Sequence, residues 1–535
     1  MPILRVQAEY VLRKPQCPKC GKKVHKRGHS RGAQRWSHNK VDRAACSWHG
    51  TVPVWPGGAT EPGVDAKASK ALCFRIRNST GTRRYLITAA QNATAVHKPF
   101  LASLQTYCRA NDAQLIVIPY RYKNPTSTWS KAAENDDWWA PELVPYLLDR
   151  RTKLCKGLVL LADVKTQPTA SCPLQGFETI SGGDSAIIGH PKLELTTIAT
   201  PQNTLAKILT TTGAVTVPNY LPGKAGKKGE HHHTFGACLV EMADGVFHLR
   251  QINATRDGTF QDLRQLYNPT GYEPAKVLGL VMGDTHEEFI DPAVARATFG
   301  EDGMTRALRP EQLVWHEVHD FYSQNHHHKF EPFIRYVKHH DGSGNVERAL
   351  DKTFNFIDRV TPAGVKNVFV PSNHPDALAR WIKETDPRGD PENCVFWART
   401  FEAMCLGSKM TETGARTIDP FAYWAKKKLT TAGQAVFLSH DQGYQIGGVE
   451  CGFHGHFGPN GSRGSRAGFS KIGVKTFIGH THSPGIKDGC YQVGTSSQLK
   501  LEYIRGPSSH MHCHGLIYAN GKRTLVFIIK GKWRA

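Results

Sequence analysis

KVLGLVMGDTH (276–286) is the stretch on which the reading of the C-terminal half turns. Its apolar run is too short for a buried helix and is rich in strand-forming residues, so it reads as a buried strand. The run delivers a polar cluster, Gly-Asp284-Thr-His286, at its C-terminal end. Function in α/β folds sits at such strand ends. Working outward, QLVW runs into His316-Glu317-Val-His319-Asp320, and NVFV runs into Ser-Asn373-His374-Pro-Asp376. VECGF leads to His454-Gly-His456, and VKTFIG leads to His480-Thr-His482. One Asp-x-His or His-x-His at a strand end is usually a hydrogen-bonded loop cluster. Five such clusters in one half of a chain describe a site. Carboxylates, imidazoles and an amide oxygen together suit Mn, Fe or Zn better than the all-oxygen shell of Mg or Ca, and manganese is the first expectation.

The order GDTH, NH, a single histidine and GHTH resembles the calcineurin-like metallophosphoesterases, including the SbcD-like repair nucleases and phage DNA-degrading nucleases. The resemblance covers residues 275–535. It implies an α/β fold in which a β-sandwich flanked by helices carries two divalent metals on its loops. It also implies that Asp284, His286 and His482 hold one metal, that Asn373, His454 and His480 hold the other, and that one carboxylate bridges them. By the same resemblance His374 is the proton donor to the departing oxygen, and Asp376 either orients that imidazole or caps the helix ALARWIKE. Two positions depart from the family pattern. For the bridging carboxylate, spacing favours Glu317 and residue type favours Asp320, and both stand as candidates. The lone metal histidine is His454, with His440 of VFLSHD as the alternative. The loop GPNGSRGSRAGFSK (458–471) offers Arg463 or Arg466 to phosphates, or is a solvated surface loop. The chain closes on GLIYANGKRTLVFII, where Asn520-Gly521 signals a two-residue hairpin.

At the other end, Cys17-Pro-Lys-Cys20 is a knuckle of the kind that gives two thiolates to tetrahedral zinc. The segment 1–52 resembles the zinc ribbons that open many transposases. The expected structural zinc site is Cys17, Cys20, His38 and Cys46, with His49 as the alternative to His38. So small a module cannot bury enough apolar surface to fold alone, so the metal would supply its folding energy. Lys22, Lys23, Lys26, Arg27, Arg31 and Arg35 would then form a phosphate-contacting surface. Residues 53–65 are Pro/Gly-rich and read as a linker. Residues 66–274 read as a separate α/β domain: RYLITAA, a helix over 99–111 and QLIVIPY make a βαβ unit, and a hairpin turns at Ala243-Asp244-Gly245. His231–His233 beside Lys227 and Lys228 read as a solvated loop, with contact to phosphate as the alternative.

The chain has 535 residues, a net charge of +22 and thirteen cysteines, an odd number that argues against a disulfide framework. The charge favours a polyanionic partner. No stretch approaches the roughly 20 apolar residues of a membrane span, and the N-terminus lacks a secretory pattern. The expectation is a cytoplasmic protein, in the host cytoplasm if phage-encoded, that acts as a metal-dependent DNase with two divalent metals and one structural zinc. DNA is the expected partner, with no membrane and with self-association left open. A phosphatase of nucleotides or phosphoproteins, and a non-catalytic DNA-binding protein with a degenerate metal site, are the competing readings.

Overall fold

The computed structural model describes residues 16–20, 22, 24–30, 33–38, 44, 46, 47, 49, 50, 66–78, 83–121, 139–201, 204–502 and 504–534. The linker 53–65, Lys23 and Arg31 lie outside the described residues. The chain is a mixed α/β protein built mainly from three sheets. No helix among the described residues is long and apolar enough to cross a membrane.

The run at 277–281 is the fourth strand of a six-stranded sheet. In order across the sheet the strands are Ala435–Phe437, Lys366–Phe369, Gln312–Trp315, Val277–Val281, Cys513–Tyr518 and Arg523–Phe527. The first four are parallel, the fifth is antiparallel to the fourth, and the sixth is antiparallel to the fifth. Alternation along these strands sends side chains to two cores. Val281, Val314 and Val368 join a core that contains Phe477, Ile486 and Tyr491 of a second sheet. Leu280, Leu313 and Phe369 face the helices, against Phe354, Trp381 and Trp424. Because both faces are apolar, a one-residue slip would not expose hydrophobic surface, so the register must come from the connections rather than from the pattern. The closing hairpin differs from the expected two-residue turn. Tyr518 N–H donates to Lys522 O, Gly521 N–H donates to Tyr518 O, and Gly521 alone takes a positive φ, of 68°. That is a three-residue loop ending in a bulge, because Asn520 stays out of the left-handed region a two-residue type I′ turn requires.

The second sheet has ten strands and draws on both sides of residue 274. Five come from 152–211 and five from 445–492, joined where Gly485–Lys487 pairs antiparallel with Leu195–Ile198. One core holds Leu158, Ile187 and Leu195 together with Phe477 and Ile486. The βαβ unit is present as Arg83–Gln91, a helix over Lys98–Asn111 and Ala113–Tyr120, with the two strands parallel. The hairpin Gly236–Ala243/Val246–Asn253 completes that four-stranded sheet. His231 and His232 end a helix, Lys224–His232, and His233 Nδ1 lies 2.8 Å from Tyr220 Oη, so this segment is ordered structure and not a solvated loop.

Arg250, 2% exposed, ties the four-stranded sheet to the chain that follows it. Its Nε and Nη2 donate to the two oxygens of Asp262 at 2.8 and 2.9 Å, and its Nη1 donates to Glu241. Burial pushes the Glu241 carboxyl up, but the charge and hydrogen bonds of Arg250 and Arg84 outweigh it and hold the pKa below its ordinary value. The stabilisation from Glu241 is therefore complete at neutral pH and is lost as the pH falls through its lowered folded-state pKa. Arg250→Leu strands the buried Asp262 carboxylate and leaves Glu241 with Arg84 alone, and it is expected to cost about 3–5 kcal/mol in urea unfolding. An unchanged unfolding midpoint would contradict this account of the pair.

Candidate metal centre

The loops after the parallel strands are zipped together beyond the sheet. Thr285 N–H donates to His316 O at 3.0 Å and His286 N–H to Glu317 O at 2.7 Å, so the GDTH and HEVHD segments share one backbone ladder. Gly479 N–H donates to His454 O at 2.6 Å, joining the FHGH and GHTH segments, and His480 N–H donates to Asp284 Oδ2 at 2.8 Å, which brings them against the GDTH segment. A Cβ at Gly479 would overlap Asp284 Oδ1, which explains the glycine in GHTH. Four residues of these loops are non-glycines with left-handed backbones: His286 (φ 43°), Glu317 (42°), His480 (77°) and His482 (56°). Each such conformation costs on the order of 1–3 kcal/mol and persists only where the surroundings enforce it, as they do at functional sites.

The donors fall into overlapping groups. Asp284, His286, Glu317 and His482 offer ligand atoms within 4.8 Å of one another, and so do Glu317, His454 and His480. In the first group His286 Nε2 is 3.2 Å from Glu317 Oε2 and 3.1 Å from His482 Nε2, and His482 Nε2 is 3.3 Å from Asp284 Oδ2. In the second, His454 Nε2 is 3.3 Å from Glu317 Oε1. One oxygen of Glu317 thus faces each group. Asp284 Oδ1, Glu317 Oε1, Asn373 Oδ1 and His454 Nε2 are buried and make no hydrogen bond. Unanswered buried acceptors are costly, and a cation is the partner that carboxylate, amide and imidazole lone pairs share. The residues therefore fit divalent ions.

Around this cluster the structure sorts the remaining candidates. Asp320 lies 2.8 Å from His286 Nδ1 through Oδ2, and His374 Nδ1 donates to its backbone carbonyl at 2.7 Å. His374 Nε2 then points inward, 4.0 Å from Glu317 Oε1. Burial works against charge on His374, but Glu317 and Asp320 outweigh it and raise its pKa to about 9. Asp376 does not orient His374. Two residues apart on the helix Asn373–Glu384, the two side chains leave on different faces, and Asp376 Oδ2 instead sits 3.0 Å from His440 Nε2. Nor does Asp376 cap that helix, whose N-cap is Ser372. Arg466 is turned inward and donates to Ser483 O, while Arg463 is exposed.

Two residues went unassigned by motif. His316 belongs to a group with Asp284 and His454, its Nδ1 3.3 Å from His454 Nδ1. Glu288 accepts the backbone N–H groups of Asp320 (2.8 Å) and Phe321 (3.2 Å), clamping the HEVHD loop. Burial first and the nearby Asp320 charge second push its carboxyl up to about 7. The available signal for both was position: His316 begins HEVHD, and Glu288 lies two residues beyond GDTH.

In the N-terminal module Cys17, Cys20, His38 and Cys46 converge within 4.8 Å. Cys17 Sγ and Cys46 Sγ are 3.9 Å apart, close to the edge of about 3.8 Å for a tetrahedron with Zn–S bonds of about 2.3 Å. Cys20 Sγ is 3.4 Å from His38 Nε2. His38 is buried, whereas His49 is exposed with Nδ1 3.3 Å from Ser47 O, so His38 completes a group that could hold zinc.

No family model matches the chain, and no solved structure matches it. Protein A1 of Escherichia phage T5 is 33% identical over 466 residues, which span 85% of this chain and 83% of that protein. At that identity and coverage, the chain belongs to the family of Protein A1 of Escherichia phage T5.

Proposed function

We propose that the protein is a metal-dependent DNase that hydrolyses phosphodiester bonds at a two-metal centre, with the metallophosphoesterase layering expected from its motifs and with the zinc ribbon helping to hold the nucleic acid. The observation that supports it most is Glu317, one carboxylate between two donor groups, each containing buried acceptors without a protein partner. Ions held there would neutralise the charge that protects a phosphodiester and generate the attacking hydroxide near neutral pH. Asp284, His286 and His482 hold one side of the centre, and Asn373, His454 and His480 hold the other. The strained, doubly hydrogen-bonded loops keep these donors fixed, which is what a preorganised site requires. His374, anchored through Nδ1, presents Nε2 towards the centre and protonates the departing oxygen.

The choice of DNA rests on charge and on the ribbon. A net charge of +22 attracts a polyanion, and a small metal-held module with lysines and arginines adds phosphate contacts without reading bases. The test is to incubate the purified full-length protein with linear and circular duplex DNA and manganese. Degradation that stops with chelator and resumes with added manganese is the expected result. Metal-loaded protein that leaves DNA intact, or that turns over only nucleotide monoesters, would overturn the assignment.

A further inference from the structure

A third cluster of donors stands beside the centre and belongs to neither of its halves. His456, two residues past His454, is 11% exposed, and both its ring nitrogens are buried without a hydrogen bond. An imidazole normally donates with one nitrogen and accepts with the other when buried, so a ring unanswered at both is an incomplete site. Its Nε2 is 3.8 Å from Asp376 Oδ2, and that same oxygen is 3.0 Å from His440 Nε2. The rings of His440 and His456 have centroids 5.4 Å apart. Two donors bound at about 2.0–2.2 Å to one ion lie at most about 4.4 Å apart, so both separations suit a shared ion.

The three side chains arrive from unrelated segments: the first turn of the helix Asn373–Glu384, the loop after the strand Ala435–Phe437, and the FHGH loop. The surroundings choose the sign of the ligand. The charges of Asp376, Asp419 and Asp441 all act on His440, while Arg416, a nearby cation, is engaged by Asp441. A phosphate would meet carboxylates here, whereas a cation would be welcomed. Two imidazoles and a carboxylate select a transition metal such as manganese, iron or zinc over magnesium or calcium.

We propose that His440, Asp376 and His456 form a third divalent transition-metal site at the rim of the candidate centre. Asp376 and His440 are 43% and 40% exposed, so this ion exchanges with solvent more readily than those beneath it. Its nearest neighbours in the centre are His454 and His480, whose ring centroids lie 5.4 and 6.1 Å from that of His456. Occupancy of the rim site does not require the neighbouring centre to be catalytic.

The experiment is a metal count on the full-length chain, stripped with chelator, dialysed to equilibrium against zinc and analysed by mass spectrometry. Wild type is expected to hold four ions: one in the ribbon, two in the centre and one at the rim. His440→Ala and Asp376→Asn, both at half-exposed positions, are each expected to hold three, with melting curves like that of wild type when all are stripped of metal. Glu317→Gln is the control that lowers the count through the centre and leaves the rim ion. Equal counts in wild type and His440→Ala would overturn the rim site and leave the two-metal centre standing. A wild type that holds only the ribbon zinc would sink both.

Discussion

Glu317→Gln should remove at least one ion of the centre and lower DNA cleavage by about 10³-fold or more. The substitution keeps the volume of a side chain that is 2% exposed, so its effect is one of charge rather than of packing. Glu317 is the sole carboxylate of the group with His454 and His480; glutamine would leave that half of the centre with imidazoles and amides only. Losing the one negative charge of that donor set weakens its hold on a divalent ion, because the attraction between the ion and the carboxylate is strongest in a buried site. A loss of ~4 kcal/mol of transition-state stabilisation corresponds to about three orders of magnitude in rate. Metal content and cleavage rate are the measurements. If Asp320→Asn lowered both and Glu317→Gln neither, Asp320 would be the bridge.

The second large effect is expected at His374, and it should appear without loss of metal. With Nδ1 donated to the Asp320 carbonyl and Nε2 directed inward, the ring can deliver a proton but takes no part in either group that shares Glu317. His374→Ala should lower the cleavage of DNA by about 10²–10⁴-fold, the range for removing a general acid. A diester whose leaving group is a nitrophenolate departs without a proton, so the variant should lose far less against it. Equal losses on both substrates would show that His374 acts by some route other than protonation.

Much of the centre was legible because its chemistry is local. GDTH and GHTH each carry two donors two residues apart, at the end of a strand that the sequence marks by its apolar run, and all four side chains do enter the cluster. The same holds for the knuckle Cys17-x-x-Cys20, where His38 and Cys46 complete the group as the resemblance to zinc ribbons implied. The contest between Glu317 and Asp320 was not decidable along the chain. The answer depends on where a left-handed residue turns the backbone after Trp315, and that residue is Glu317 itself. Asp376 was misjudged for a related reason: closeness to His374 in sequence becomes divergence on a helix, and its partner His440 lies 64 residues away.

The reading of residues 66–274 shows the same division on a larger scale. Its βαβ unit and hairpin follow from alternation and turn residues, which act over a few residues. That the strands of 152–211 continue into the sheet of 445–492 could not be read, because strand pairing between distant segments leaves no local mark. The sequence by itself therefore determined which residue types stand at the strand ends and, with them, a set of donors that could hold metal ions. Only the tertiary structure decided that Glu317 stands between the two groups, that Glu288 clamps its loop, and that His440, Asp376 and His456 meet. Donor identity is a property of single residues, whereas sharing a carboxylate between two groups depends on backbone turns and sheet registers that many distant contacts set together.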